Sequence, residues 1–235
     1  MQTSKLENKV YEELKKNKFF IFKIKDLCLL LKVEKTKAYN IIKALKRKQI
    51  IKKIGKGFFV LSGVNEFSIG QSINYPSYLS FWSALNYYGF SDQIPKKIFF
   101  TTTKYTKEIN DFKFVTLSPK RFFGYKNING ITIAEKEKAI IDSLLFPKYS
   151  GGIKEIYNSL KNNIKEIDTK KLINYAFKVE SKAVLRRLGF ILEGLDYKEG
   201  LKKMRRNIGR GYELLDPNLK RKNNLNKKWL LDVNW

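Results

Sequence analysis

The side chains best suited to chemistry lie between residues 35 and 56, and they are cations, hydroxyls and an amide rather than acids or nucleophiles. Read on a helix, Lys35, Thr36, Lys37, Tyr39, Asn40, Lys43, Lys46 and Arg47 fall opposite an apolar stripe of Ala38, Ile41, Ile42 and Leu45. That combination suits a nucleic acid. Asn40 can pair with two atoms of an adenine edge, Thr36 and Tyr39 stand at the N-terminal end where base edges are reached, and lysines hold phosphates without specifying sequence. Lys52, Lys53 and Lys56 extend the charge into a segment that alternates around Gly55–Lys56–Gly57. A phosphate loop is the rival reading of those glycines, but P-loop spacing and the helix that must follow it are both missing.

Other chemistries find little material. The chain contains no histidine, which excludes Ser–His–Asp and Cys–His nucleophile systems, His-ligated zinc and imidazole acid–base catalysis. Cys28, the single cysteine, follows Leu27 in an apolar helix and reads as a reduced core or boundary residue; one thiol also excludes an internal disulfide. An enzyme acting on nucleic acid would need Asp92, Asp111, Glu135, Glu137 and Asp142 to gather around Mg²⁺, and no dense acidic motif draws them together. The expectation is a protein that works by binding, with no catalytic residues, metal or cofactor.

The charge balance supports this. Over 235 residues, Lys+Arg 48 against Asp+Glu 22 gives a formal net charge of +26. Compositional bias explains part of it, since most of the basic residues are Lys and Asn, Ile, Phe and Tyr are also plentiful. Such a bias does not sort charge along the chain, yet residues 1–62 hold 17 basic and 5 acidic residues, whereas 63–195 hold 20 and 12. Residues 196–235 hold 11 and 5. Both ends attract polyanions, and nucleic acid is favoured over a membrane surface. The longest aliphatic run, Leu27 to Leu31, falls far short of the ~20 residues of a spanning helix. The polar start, with no apolar signal region, and the lone thiol fit a cytoplasmic protein.

These residues need a scaffold. Apolar spacing predicts helices over roughly 5–16 (Leu6, Val10, Tyr11 and Leu14 on one face), 23–31 and 34–48, then a hairpin over 50–61. Three helices and a hairpin make a winged helix-turn-helix, whose third helix enters a major groove about 12 Å wide. Residues 1–62 are therefore read as a DNA-binding domain, 63–74 as a linker and 75–235 as a second domain. There an aromatic-rich helix is expected over 75–88, opening at Pro76–Ser77, and strands over 98–103, 112–117, 122–125 and 130–133. Helices over 135–145, 153–161, 169–179, 182–195 and 198–208 follow, with a last strand over 229–234. Strands followed by helices give an α+β fold overall: a winged helix-turn-helix and then a mixed α+β domain.

The second domain carries an ordered series of motifs. Ser80–Phe81–Trp82–Ser83–Ala84–Leu85–Asn86–Tyr87–Tyr88–Gly89 precedes Gln93–Ile94–Pro95, Thr101–Thr102–Thr103 and Phe122–Phe123–Gly124–Tyr125. Ile133 through Asp142, Leu185–Arg186–Arg187–Leu188–Gly189, Leu215–Asp216–Pro217 and Trp229–Leu230–Leu231–Asp232–Val233–Asn234 follow. In this order, over essentially the whole chain, they resemble the AbiEi family of type IV antitoxins. The resemblance implies a bifunctional protein. Its winged helix would bind inverted repeats of double-stranded DNA at its own promoter and repress it, and its second domain would counter a nucleotidyltransferase-like toxin, with or without a direct complex. A stand-alone winged-helix regulator without a toxin is the alternative.

Most of these motifs read physically as fold-keeping. The Phe81–Trp82 and Tyr87–Tyr88 cluster suits a core, and Glu135 and Glu137 suit a helix start. Arg186 and Arg187, with Lys202, Lys203, Arg205, Arg206 and Arg210, form a candidate second anionic contact, to flanking DNA or to RNA; a solvated charged face fits the same residues.

Overall fold

The computed structural model describes residues 5–55 and 57–235, which cluster into two compact units. One runs through Tyr75 and includes Glu108–Phe112; the other comprises Pro76–Lys107 and Lys113–Trp235. The chain is α+β, and no helix among the described residues is long and apolar enough to cross a membrane.

The first unit follows the order of a winged helix-turn-helix. Helix α1 (Lys5–Lys16) leads to strand β1 (Ile21–Lys23), α2 (Ile24–Leu31), α3 (Lys35–Arg47) and the hairpin β2 (Ile51–Ile54) and β3 (Phe58–Leu61). Both β1 and β2 pair antiparallel with β3, and Phe22 opposite Phe59 joins sheet to core. Val10, Leu14, Leu27, Ala38, Ile41, Ile42 and Leu45 fill the space between helices and sheet. One detail of α1 departs from the expected stripe. Leu6 is 52% exposed, and Glu7 turns inward instead, where Lys48 pairs with it. The charged neighbour is thereby matched rather than left bare, as burial requires.

The segment 63–74 is not an open linker. It holds helix α4 (Glu66–Ile73), capped by the Asn65 side chain accepting from the Phe67 N–H at 2.8 Å, with Ile69 and Ile73 buried. The expected helix over 75–88 also divides. Strand β4 (Ser77–Leu79) comes first, all three residues buried, and α5 (Phe81–Tyr87) follows.

Strand β4 lies inside a six-stranded sheet with β5 (Ile98–Thr102), β6 (Lys107–Ile109), β7 (Phe112–Thr116), β8 (Tyr125–Ile128) and β9 (Ile131–Ala134), in the order β6-β7-β5-β4-β9-β8. It runs antiparallel to β5 and parallel to β9. The β8–β9 hairpin turns at Asn129 (φ 49°) and Gly130 (φ 81°), the left-handed pair that a two-residue hairpin loop demands. Helices α6 (Lys136–Leu145), α7 (Ile153–Asn163), α8 (Thr169–Lys178), α9 (Lys182–Gly194) and α10 (Leu201–Arg206) follow, and a small sheet of β10 (Glu213–Leu214), β11 (Leu225–Asn226) and β12 (Leu231–Asp232) ends the chain. Helix α6 is buried from Glu137 to Leu144, so every polar group on it needs an internal partner.

Candidate nucleic-acid interface

The turn from α2 to α3 sets the first site. Lys32 adopts a left-handed conformation (φ 51°), and the Val33 N–H reaches back to the Cys28 carbonyl at 3.1 Å, which stops α2 after Leu31. Helix α3 then starts from Glu34, whose side chain makes no cap. Lys35, Thr36, Lys37, Tyr39, Asn40, Lys43, Lys46 and Arg47 line its outer side, Tyr39 being 61% exposed. Among the described residues none of the cations of this group is in an ion pair. Asn40, Lys43, Ala44 and Arg47 line a hollow along the outer face.

The first turn of α3 has no acid and two lysines, Lys35 and Lys37. Positive charge there opposes the helix dipole and four N–H groups that already point outward. The arrangement works against helix stability and toward an anion. On β2, Lys52 and Lys53 are exposed between buried Ile51 and Ile54. Lys56 lies outside the described residues. Lys23 Nζ sits 4.4 Å from the centre of the Phe58 ring on the neighbouring strand.

The second basic set separates into two populations. Lys202, Lys203, Arg205, Arg206 and Arg210 are exposed, but Arg186 and Arg187 are 1% and 6% exposed and do not belong to a surface contact. Their guanidinium groups point mostly at backbone oxygens, while Arg186 Nε finds no partner among the described residues. Arg187 donates from Nε to Leu215 O at 2.9 Å, from Nη1 to Leu144 O at 2.8 Å and from Nη2 to Leu214 O at 3.3 Å. Arg186 Nη2 donates to Ile208 O at 2.8 Å and Arg210 O at 3.0 Å, and its Nη1 lies 3.3 Å from Glu213. A fork of donors suits carbonyls left over at segment ends, and adjacent arginines on a buried helix can serve two such ends.

The carboxylates of the enzyme reading disperse into similar duties. Asp142 accepts from Tyr78 Oη at 3.0 Å and Ser80 Oγ at 2.8 Å and pairs with Lys138, all four residues being fully buried. Burial raises the Tyr78 hydroxyl well above its usual range, with Asp142 adding to the effect, and burial lowers the Lys138 ammonium against the pull of Asp142. Glu135 and Glu137 share Lys171, at 3.0 and 3.4 Å. Burial pushes the Tyr175 hydroxyl, which donates to Glu135, up to about 12. Asp92 is exposed, and among the described residues no three acids, or acids with Cys28, form a metal-sized group. The Lys138–Asp142–Tyr78–Ser80 cluster escaped the sequence reading; its signal was an oppositely charged pair four apart inside an apolar helix.

The later motifs also prove architectural. Asp216 Oδ2 accepts the Ile153 N–H at 2.7 Å at the start of α7, and Asn234 Oδ1 accepts the Asp216 N–H at 2.9 Å. Trp229 is fully buried against Gly189, with its Nε1 donating to Glu193 at 2.9 Å.

The class that fold and site define is a two-unit α+β protein with a winged helix at its start and an exposed basic face on the third helix. No known family model and no curated protein matches the chain. Among solved structures it is similar to the RV2827C protein from Mycobacterium tuberculosis, with a TM-score of 0.72 at 11% identity over 98% of this chain and 92% of that one. At that identity the likeness is one of fold.

Proposed function

We propose that this chain is a DNA-binding transcriptional autorepressor and the antitoxin of a type IV toxin–antitoxin system, acting in the cytoplasm against a nucleotidyltransferase-like toxin. The observation that carries DNA binding is the face of α3, where exposed cations without acidic partners crowd even the first turn, beside Lys52 and Lys53 of the hairpin. Thr36, Tyr39 and Asn40 would read base edges, and the lysines would hold phosphates. The antitoxin role rests on the ordered motifs from Ser80 to Asn234, which resemble those of AbiEi antitoxins. No catalytic group or cofactor enters this reading.

Two experiments test the two halves. Purified protein should prefer duplex from upstream of its own gene over a scrambled duplex, with affinity falling steeply as salt rises. Equal affinity for both sinks the repressor reading. Co-expression with the product of the neighbouring gene should restore growth; a toxic neighbour that stays toxic leaves only a stand-alone regulator.

A further inference from the structure

We propose that the second unit carries a separate site for single-stranded nucleic acid, made by Lys202, Lys203, Arg205, Arg206 and Arg210 with Tyr212 beside them. The five cations are exposed, and among the described residues none is in an ion pair. Lys202 stands three and four positions from Arg205 and Arg206, a spacing at which like charges repel. Glu193, whose carboxyl lies within the field of Arg205, is already held by Lys228 and by Trp229 Nε1. Lys203 Nζ lies 5.0 Å from the centre of the Phe177 ring, and the remaining repulsion is met by water and salt until an anionic ligand relieves it.

The backbone beneath these cations is fixed. Met204 and Ile208 are buried, and the fully enclosed Arg186 holds the carbonyls of Ile208 and Arg210. Gly209 (φ 75°) and Gly211 (φ 79°) take left-handed conformations, and a Cβ on Gly209 would lie 2.9 Å from Lys182 Nζ. A charged surface presented from a rigid segment loses little freedom on binding.

Single-stranded nucleic acid fits this surface best. Tyr212, 39% exposed, follows Arg210 by two residues. A tyrosine ring and arginine planes accept unpaired bases by stacking, which a duplex does not offer because its base faces cover one another. An anionic membrane is disfavoured, since an interfacial helix inserts its apolar side and α10 buries Met204 within the protein. The inference stands apart from duplex binding by α3.

Fluorescence anisotropy of the full chain tests it, using labelled oligouridylate and oligodeoxythymidylate of about 20 nucleotides and a duplex from upstream of the gene. Replacing Lys202, Lys203, Arg205 and Arg206 together by Ala should weaken oligouridylate binding about tenfold or more and flatten its salt dependence by about 0.7 unit for each phosphate that is no longer neutralised. Tyr212→Ala should weaken it about tenfold. Lys37→Ala with Lys43→Ala should leave it unchanged while weakening the upstream duplex. Loss of the thymidylate with the uridylate marks a general single-strand site, and retention of the thymidylate alone marks one that reads the 2′-hydroxyl; both support the proposal. Oligouridylate binding that survives the fourfold replacement, or that is lost in the α3 variant instead, overturns it. Failure of the repressor reading appears separately, as equal affinity for upstream and scrambled duplex.

Discussion

Helices α3 and α6 use charge in opposite ways. On α3 the cations face water and meet no acid among the described residues, and two stand where the helix dipole opposes them. On α6 the charges from Glu137 onward are enclosed, and each finds a partner: Lys138 and Asp142 take each other with Tyr78 and Ser80, while Glu137 takes Lys171 and the Asp168 N–H. Charge that holds a fold is matched inside the molecule, because an unmatched buried ion costs too much to keep. Charge meant for a partner, as proposed for α3, is left unmatched at the surface. The Arg186 side chain and the neighbouring exposed cations of α10 place matched and unmatched charge within one short region.

The largest effect should come from unmatching a buried charge. We predict that Asp142→Ala strands the Lys138 ammonium and the Tyr78 hydroxyl and costs about 3–5 kcal/mol of stability. Replacing the pair together, Lys138→Met with Asp142→Leu, should recover much of that loss, as denaturant titration would show. Equal destabilisation by the single and the paired replacement would mean that the cluster is more than a matched pair. Next comes Gly189→Ala, whose new Cβ would stand 2.1–2.2 Å from Trp229 ring carbons. Trp229 is fully buried and tied to Glu193, so the overlap should cost about 1–3 kcal/mol or more, read by tryptophan fluorescence during unfolding. Neither change should alter duplex affinity in the fraction that remains folded.

On the surface helix the same logic predicts the reverse pattern. Asn40→Ala should leave the melting temperature in place and remove about 1–3 kcal/mol of discrimination between upstream and scrambled duplex. A variant that keeps full discrimination removes Asn40 from base reading.

How much of this was legible in the sequence differs between the units. The first unit is built from local signals: 3.6-residue apolar spacing in α1 to α3, a short turn and a glycine-bearing hairpin, each of which acts within a few residues. The face of α3 followed directly, since exposure is simply the complement of its apolar stripe. In the second unit, strands of two or three residues such as β4, β6 and β10 exist because distant strands pair with them, so Ser77–Leu79 looked like the start of an aromatic helix. The pair Arg186 and Arg187 looked like surface because charge usually is. What buried them was a set of carbonyls at 144, 208, 210, 214 and 215, far away in sequence. Lys202 to Arg210, by contrast, kept the exposure their composition suggested for the cations.

The smallest predicted effect is the sharpest test of the comparison, because its two readouts should move in opposite directions. Lys35 and Lys37 occupy the first turn of α3, where the outward N–H groups favour negative charge. If these lysines serve only as a solvated face, replacing them by Glu relieves the helix dipole and leaves duplex affinity unchanged. If they are kept for a phosphate, Lys35→Glu or Lys37→Glu should stabilise the protein by about 0.3–1 kcal/mol at low ionic strength. Duplex affinity should fall at the same time, and the salt dependence should flatten by about 0.9 unit for each phosphate that is no longer neutralised. A gain in thermal stability with duplex affinity unchanged would show that the unmatched charge of this turn serves no nucleic acid.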